Sequence, residues 1–123
     1  MIQIHHLYKA FEDKEVLKDI NATFENGKVN LIIGQSGSGK TVLMKNIVGL
    51  LTPTSGSIMY DDRDFVALSK RDKIMLRREM GMIFQSAALF DSLTVLDNVM
   101  FPLDMFSDMS YADRVKRAKF CLS

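Results

Sequence analysis

Residues 34–41 run Gly34-Gln35-Ser36-Gly37-Ser38-Gly39-Lys40-Thr41. They match the phosphate-binding pattern G-x-x-x-x-G-K-[ST] at each fixed position. Residues 29–33, just before them, are apolar except for Asn30 and predict a buried strand, while residues 42–51 predict a helix. A strand, a glycine-rich loop and a helix in this order are the context in which the pattern is meaningful. The simpler alternative is a flexible Gly/Ser turn with a solvated lysine, and the flanking elements argue against it.

The backbone of this loop is suited to an anion. Three glycines lack a Cβ, so the chain can turn tightly and reach positive φ, at Gly34, Gly37 and Gly39. Successive N–H groups can then point inward, and the start of the following helix adds a partial positive charge. The loop therefore predicts a cradle for a polyphosphate.

The side chains of the loop complete this prediction. Lys40 can reach β- and γ-phosphate oxygens as a mobile positive charge. Thr41 can place its hydroxyl on a Mg²⁺ ion that bridges those phosphates. Ser36 and Ser38 are small and can donate further hydrogen bonds.

Composition excludes several classes of protein. The chain has 123 residues and a net charge of +1, so no strong attraction to nucleic acid or anionic lipid is expected. No apolar run approaches the roughly 18 residues that span a bilayer, and the first residues do not resemble a secretory signal. Cys121 is the only cysteine, which excludes an intrachain disulfide and fits a reducing cytoplasm. His5 and His6 would point to opposite faces of a strand, so a shared metal ion is not favoured.

Before the loop, alternating apolar residues predict half-buried strands over residues 2–7 and 16–24. Phe11 follows the first of these in a polar loop, where it could pack on the sheet or on a base. Asn26-Gly27 predicts a hairpin turn. After the loop, Pro53 should end the helix, and residues 57–60 predict a short strand.

The second half of the chain contains further helices and one more strand. Ser69 and Asp72 predict a capped helix over residues 70–78, whose basic side chains favour a solvated face over a nucleic-acid patch. Residues 80–84 predict a buried strand with Gln85 at its C-terminal end, where ligands bind in open α/β sheets. Residues 86–94 predict a loop rich in apolar residues, either a docking surface or a locally packed segment. Further helices are predicted over residues 95–100, stopped by Pro102, and from Ser110 onward.

The order of these pieces resembles the N-terminal half of an ABC-transporter ATPase subunit. Lys9-Ala10-Phe11 is similar to the family's A-loop, residues 34–41 to its Walker A motif, and residues 50–58 to the segment after its first helix. Residues 82–85, followed by 88–90 and 93–99, are similar to the Q-loop region. Walker A alone is shared by many P-loop proteins, but the whole ordered set is specific to ABC ATPases.

The resemblance implies an α/β fold of the P-loop NTPase class and ABC type. Residues 1–123 would form an incomplete domain: an N-terminal antiparallel β part, the start of the RecA-like core and the start of the helical subdomain. The cofactors would be ATP and Mg²⁺. Phe11 would stack on adenine, residues Gly34 to Val42 would line the nucleotide, and Thr41 with Gln85 would hold the metal. Lys40 and Gln85 would serve catalysis, Gln85 by reaching the attacking water.

The resemblance also implies partners and a location. The ATPase subunit would pair with a second copy and contact an integral-membrane permease through residues 86–103, on the cytoplasmic face of the inner membrane. Residues 84–95, with residues 101–103, are most similar to ATPases of MCE-type lipid-trafficking importers, which implies phospholipid-like cargo. No nucleic-acid partner is expected.

Several positions depart from the family pattern. Gln35 stands where proline is usual, Val42 where a second hydroxyl is common, and Asp62 where a turn glycine is usual. The family's LSGGQ-type signature, Walker B motif and switch histidine are absent, and the last glutamate is Glu79, ahead of Gln85. We therefore expect a fragment of a longer ATPase that binds nucleotide, weakly at most, without efficient hydrolysis. The alternatives are a non-catalytic nucleotide-binding module or another P-loop kinase or NTPase; no Asn-Lys-x-Asp guanine motif supports a GTPase.

Overall fold

The computed structural model describes residues 1–84 and 88–123. Within these ranges the chain forms four strands and four helices, which are β1 (Ile2–Phe11), β2 (Lys14–Phe24), α1 (Lys40–Ile47), β3 (Ser55–Tyr60), β4 (Arg63–Asp64), α2 (Lys70–Arg77), α3 (Val95–Phe106) and α4 (Tyr111–Leu122). They divide into two compact units, Met1–Gly81 and Met82–Ser123. No described helix is long and apolar enough to cross a membrane.

The first unit is built on an antiparallel sheet with the strand order β2-β1-β3-β4. Ile4 in β1 lies opposite Ala22 in β2 and Ile58 in β3, so the middle of the sheet is apolar on one face. Nine buried side chains form the core on this face: Ile4, Leu7, Leu17, Leu43, Ile47, Ile58, Tyr60, Phe65 and Leu76. The predicted strands at residues 2–7, 16–24 and 57–60 are confirmed, and β1 continues to Phe11.

Two β-bulges compensate each other in the β1–β2 pair. The register gains a residue in β1 between Ile4 and Leu7 and a residue in β2 between Ile20 and Leu17. His6 and Asp19, which lie in these two bulges, both have positive φ, and His6 Nδ1 lies 2.6 Å from Asp19 Oδ1. The hydrogen bond with His6 lowers the pKa of Asp19 below its ordinary value. Because one bulge cancels the other, apolar side chains on both strands continue to face the core as far as Lys9, after which a third shift adds Val16 to β2 before Ala10 pairs with Glu15.

Helix α1 is fixed to the sheet at its C-terminal end. The Tyr60 hydroxyl donates a hydrogen bond to the Ile47 carbonyl, and burial raises the pKa of Tyr60 to about 12. Arg77 Nη2 donates to the Gly49 carbonyl at 3.1 Å. The helix ends at Ile47 rather than near residue 51, and Gly49 continues the chain at φ 81°.

The second unit contains α3 and α4. Thr94 and Asp97 form a capping box at the start of α3, and Ser110 caps α4. Arg114 Nε lies 2.9 Å from Asp104 Oδ1 and joins the two helices. The prediction that Pro102 ends the helix was wrong: α3 contains Pro102 and continues to Phe106.

Two predicted buried strands are absent from the described chain. Residues 29–33 have no regular secondary structure, and the side chains of Val29, Leu31 and Ile33 are more than 80 % exposed. Residues 80–84 are also irregular, and Ile83 is 99 % exposed. An extended segment becomes a strand only when neighbouring strands pair with its N–H and C=O groups, and no described segment pairs with either. The turn at Asn26-Gly27 forms, but without a hairpin.

Candidate functional site

The glycine-rich loop is compact and irregular, and it leads directly into α1. The Ser38 amide donates to the Gln35 carbonyl at 3.0 Å, which closes a tight turn. Gly37 and Gly39 have φ values of 80° and 101°. These are conformations that L-residues with side chains avoid, so the two glycines are needed for the observed path.

Two glycines in the loop also permit close approaches. A Cβ on Gly39 would lie 3.2 Å from Leu17 Cδ2 and 3.3 Å from Val16 Cγ1, so the start of α1 rests directly on β2. A Cβ on Gly34 would lie 2.6 Å from Ser38 Oγ and would close the loop on itself. A larger side chain at either position would therefore force the loop or its neighbour to move.

The start of α1 presents backbone donors. The first helical hydrogen bond runs from the Leu43 amide to the Gly39 carbonyl at 2.8 Å. The N–H groups of Lys40, Thr41 and Val42 precede it and have no acceptor within the helix. No described side chain caps these groups, and the first turn contains no acidic residue. This end of α1 therefore combines partial positive charge with N–H groups suited to an anion.

Two loop side chains lie where a phosphate ligand would need them. The Lys40 ammonium donates to the Gly34 carbonyl and, at 3.3 Å, to the Gln35 carbonyl, so its charge is held at the loop. Thr41 is exposed in the first turn of α1. The ammonium and the hydroxyl are thus at the same helix end as the backbone donors, and this donor set fits a polyphosphate with its magnesium ion.

Phe11 ends β1 and lies toward the same part of the sheet. It pairs with Lys14, two residues along β2 from Val16, which rests against Gly39. Two strand residues span roughly 7 Å. The Phe11 ring is 42 % exposed, and Lys9 Nζ lies 5.0 Å from its centroid. A half-exposed aromatic ring near the loop is the arrangement that stacking on a base requires.

Sequence reasoning missed two sets of supporting contacts. Val16 and Leu17 support the start of α1, and Lys9 supports the Phe11 ring while donating to the Thr52 carbonyl at 2.7 Å. Lys9 and Phe11 are two residues apart and so lie on one face of a strand, which was the available signal for the contact between Lys9 and the Phe11 ring.

The other predicted site residue, Gln85, lies outside the described residues, so its role remains a prediction. Its predicted docking region, residues 86–103, is described from Ala88 onward. There, Phe90 packs on Phe101 with ring centroids 4.8 Å apart. Asn98 Oδ1 accepts from the Phe90 amide at 2.8 Å, which holds the loop against α3. The segment is thus locally packed, yet it also exposes large apolar side chains, among them Leu89 and Val95.

Comparison with known proteins gives the family. The ABC transporter profile matches residues 17–122. The intermembrane phospholipid transport system ATP-binding protein MlaF of Haemophilus influenzae is 40 % identical over 103 residues, covering 84 % of this chain and 39 % of that protein. The methionine import ATP-binding protein MetN 2 of Lactiplantibacillus plantarum is 39 % identical over 123 residues, covering 97 % and 36 %.

Solved structures agree. The dimeric structure of MJ0796, a bacterial ABC transporter cassette, superposes with a TM-score of 0.85 at 32 % identity, covering 99 % of this chain and 56 % of that one. A second structure of MJ0796, in a post-hydrolysis state bound to ADP and Pi, gives a TM-score of 0.82. These matches confirm the predicted α/β fold class. This chain spans about half of the solved cassette, and less than half of the length of these two relatives. The chain belongs to the ABC transporter family, with the fold of its ATP-binding cassettes.

Proposed function

We propose that residues 34–42 bind the phosphates of MgATP and that Phe11 stacks on the adenine, as part of the ATPase subunit of a transporter. The observation that carries this proposal is the start of α1, where uncapped N–H groups, the Lys40 ammonium and the Thr41 hydroxyl occur together. The structure of MJ0796 with ADP and Pi supports a nucleotide as the ligand of this fold.

Each group has a distinct role in this proposal. The backbone N–H groups and Lys40 hold the β- and γ-phosphates, and Thr41 with Gln85 holds the metal. Bound Mg²⁺ would neutralise negative charge on the β- and γ-phosphates. Val42 offers no hydroxyl, so the phosphate nearest to it relies on backbone donors alone.

Hydrolysis is proposed for the whole protein rather than for these 123 residues. An attacking water must be oriented and polarised, and the metal needs carboxylate ligands. No glutamate follows Glu79 in this sequence, and no apolar run ending in Asp-Glu follows Gln85. The alternative function is a nucleotide-binding module without turnover. Phosphate release measured on the 123-residue chain and on the complete gene product would separate the two: turnover by the latter alone supports the ATPase.

The proposed partners follow from the exposed apolar segment and the relatives. We propose that residues 86–103 contact a membrane permease at its cytoplasmic side, because Leu89, Val95 and their neighbours expose apolar surface. Two copies would associate, as the dimeric MJ0796 cassettes do. The similarity to MlaF supports phospholipid as the cargo, whereas the similarity to MetN 2 names methionine as the competing cargo. Transport of labelled phospholipid and methionine by the assembled transporter would decide between them.

Nucleotide binding can be tested with one pair of lysine variants. MgATP at 100 times its Kd should raise the free energy of unfolding by about 2.7 kcal/mol. Lys40→Ala should abolish this stabilisation, because the charge held at the loop is removed. Lys45→Ala is the matched control, since Lys45 lies in the last turn of the same helix.

The measurement is thermal unfolding with and without MgATP, repeated with MgGTP. An unchanged shift in Lys40→Ala would show that the loop is not the site. A strong preference for GTP would favour another class of P-loop enzyme.

A further inference from the structure

Lys9 and Phe11 lie two residues apart in β1, and their side chains interact. The Lys9 ammonium lies over the Phe11 ring, with Nζ 5.0 Å from the ring centroid. A cation within about 6 Å of the centroid is attracted to the negative face of an aromatic ring. The ammonium therefore covers one face of the ring, while Phe11 as a whole stays 42 % exposed.

The Lys9 side chain is itself fixed at its charged end. Its Nζ donates a hydrogen bond to the Thr52 carbonyl at 2.7 Å, and the residue is half-buried. The segment that carries this carbonyl is bound to β1 by two further bonds. The Thr54 amide donates to the Tyr8 carbonyl at 2.9 Å, and the Ala10 amide donates to the Thr54 hydroxyl at 3.0 Å. Backbone groups on both sides of Lys9 therefore set the place of its ammonium.

An anchored ammonium differs from a solvated lysine that happens to be near a ring. A lysine side chain has many rotamers, so an unanchored ammonium would lie over the ring only part of the time. The Thr52 carbonyl holds the Lys9 ammonium in one place, and the ammonium in turn restrains the Phe11 ring. A ring that is already restrained loses less conformational freedom when a ligand packs on it.

We propose that Lys9 is a positioning residue for the nucleotide base. Its ammonium restrains the Phe11 ring through one face, and adenine stacks on the opposite face. This inference rests on the stacking of Phe11 on adenine proposed above, and it adds the residue that orients the ring and the face that the base occupies. The simpler role for Lys9 is to fix residues 52–54 to the strand, which would leave the base contact unaffected.

The experiment is a double-mutant cycle on the complete gene product. Affinity for MgADP is measured by calorimetric titration, because ADP is not consumed during the measurement. Phe11→Ala should weaken binding by about fivefold or more, the loss expected when one base no longer stacks on an aromatic ring. Lys9→Met removes the charge and should weaken binding by about two- to fivefold, as for the loss of an exposed cation–π contact. In the Phe11→Ala background, Lys9→Met should have no further effect.

Two control variants accompany the cycle. Lys9→Arg keeps a cation that can lie over the ring, so it should restore the affinity of the unaltered protein. Lys18→Met removes the same charge from an exposed position of β2, four residues along the strand from Lys14, which pairs with Phe11. Its affinity should be unchanged. If Lys9→Met does not fold, Lys9→Gln repeats the test with a neutral side chain that can still donate to the Thr52 carbonyl.

The outcomes separate this inference from the proposed function. Unchanged affinity in Phe11→Ala would show that Phe11 does not stack on the base, and both would then be wrong at this residue. If Phe11→Ala weakens binding but Lys9→Met does not, only the role of Lys9 is wrong. An equal loss from Lys9→Met in both backgrounds, or a loss that persists in Lys9→Arg, would also overturn that role, because Lys9 would not be acting through the ring.

Discussion

Helix α1 begins differently from the other three helices of the described chain. Helices α2, α3 and α4 are each preceded by a residue whose hydroxyl accepts a hydrogen bond from a backbone N–H group. These capping residues are Ser69, Thr94 and Ser110. Each also has an aspartate as its third helical residue, at Asp72, Asp97 and Asp113. Helix α1 starts instead with Gly39 in a left-handed conformation, and its third residue is Val42.

The difference separates helix starts that stabilise their own helix from the start of α1, which is suited to binding a ligand. Caps and acidic first turns stabilise helices by satisfying exposed N–H groups and the helix dipole. Helix α1 lacks both, and it is stabilised elsewhere, through buried Leu43 and Ile47 and the Tyr60 bond at its far end. Its first N–H groups are therefore available for a ligand, whereas in each of the other helices the N–H of the third residue is already bonded to the capping hydroxyl.

The largest expected effect comes from giving α1 the acidic residue that the other helices have. Val42→Asp places a carboxylate in the first turn of α1, which is proposed to hold the phosphates, at a side chain that is partly packed against the core. Two unit charges about 6 Å apart repel by about 3 kcal/mol at an effective dielectric constant of about 20. We expect MgATP affinity to fall by about 100-fold, measured by calorimetric titration.

The control for this experiment is Val42→Thr, which has nearly the same shape and no charge. It should bind MgATP at least as tightly as the unaltered chain, because it adds a hydroxyl. Unchanged affinity in Val42→Asp would mean that the start of α1 does not face the nucleotide.

The next largest effect concerns the glycine at which α1 begins. Gly39→Ala places a Cβ at φ 101°, 3.2 Å from Leu17 Cδ2. Backbone strain at positive φ costs about 1–3 kcal/mol, and the contact with Leu17 should lower the free energy of unfolding in urea, without nucleotide, by more than that strain alone. Gly37→Ala is the matched control, since Gly37 has φ 80° but nothing within 4 Å of its added Cβ. Equal losses in the two variants would show that the contact with β2 does not matter.

Local patterns in the sequence predicted much of this molecule. The glycines of the loop, the alternation in β1 and β2, and the caps at Ser69 and Ser110 each encode geometry within a few residues. Phe11 lies opposite Lys14, two residues along β2 from Val16, which lies beside Gly39, and its stacking on adenine stays a prediction. The apolar side chains that support the loop from β2 could not be predicted, because the β-bulges that set the register of Val16 and Leu17 have no clear sequence signal.

Two kinds of prediction failed for physical reasons. Residues 29–33 and 80–84 have the composition of buried strands, but composition does not supply the neighbouring strands that pairing requires. Pro102 removes one N–H donor, so only the Asn98 carbonyl loses its helical partner. The helix continues because it is well supported at both ends, by the Thr94 cap and by Ser107, whose amide and hydroxyl both donate to the Leu103 carbonyl.

The smallest expected effect concerns the capped start of α3. Thr94→Ala removes the hydroxyl that accepts from the Asp97 amide at 3.1 Å, and loss of such a cap typically costs about 1 kcal/mol. Hydrogen exchange of the first α3 amides should accelerate by about fivefold, since 1 kcal/mol corresponds to about that factor. Thr94→Ser keeps the hydroxyl and should restore slow exchange. MgATP affinity should be unchanged in both variants, because the Thr94 cap stabilises only its own helix. A loss of affinity in Thr94→Ala would show that a capped helix start also contributes to nucleotide binding. The distinction between α1 and the other helices would then be wrong.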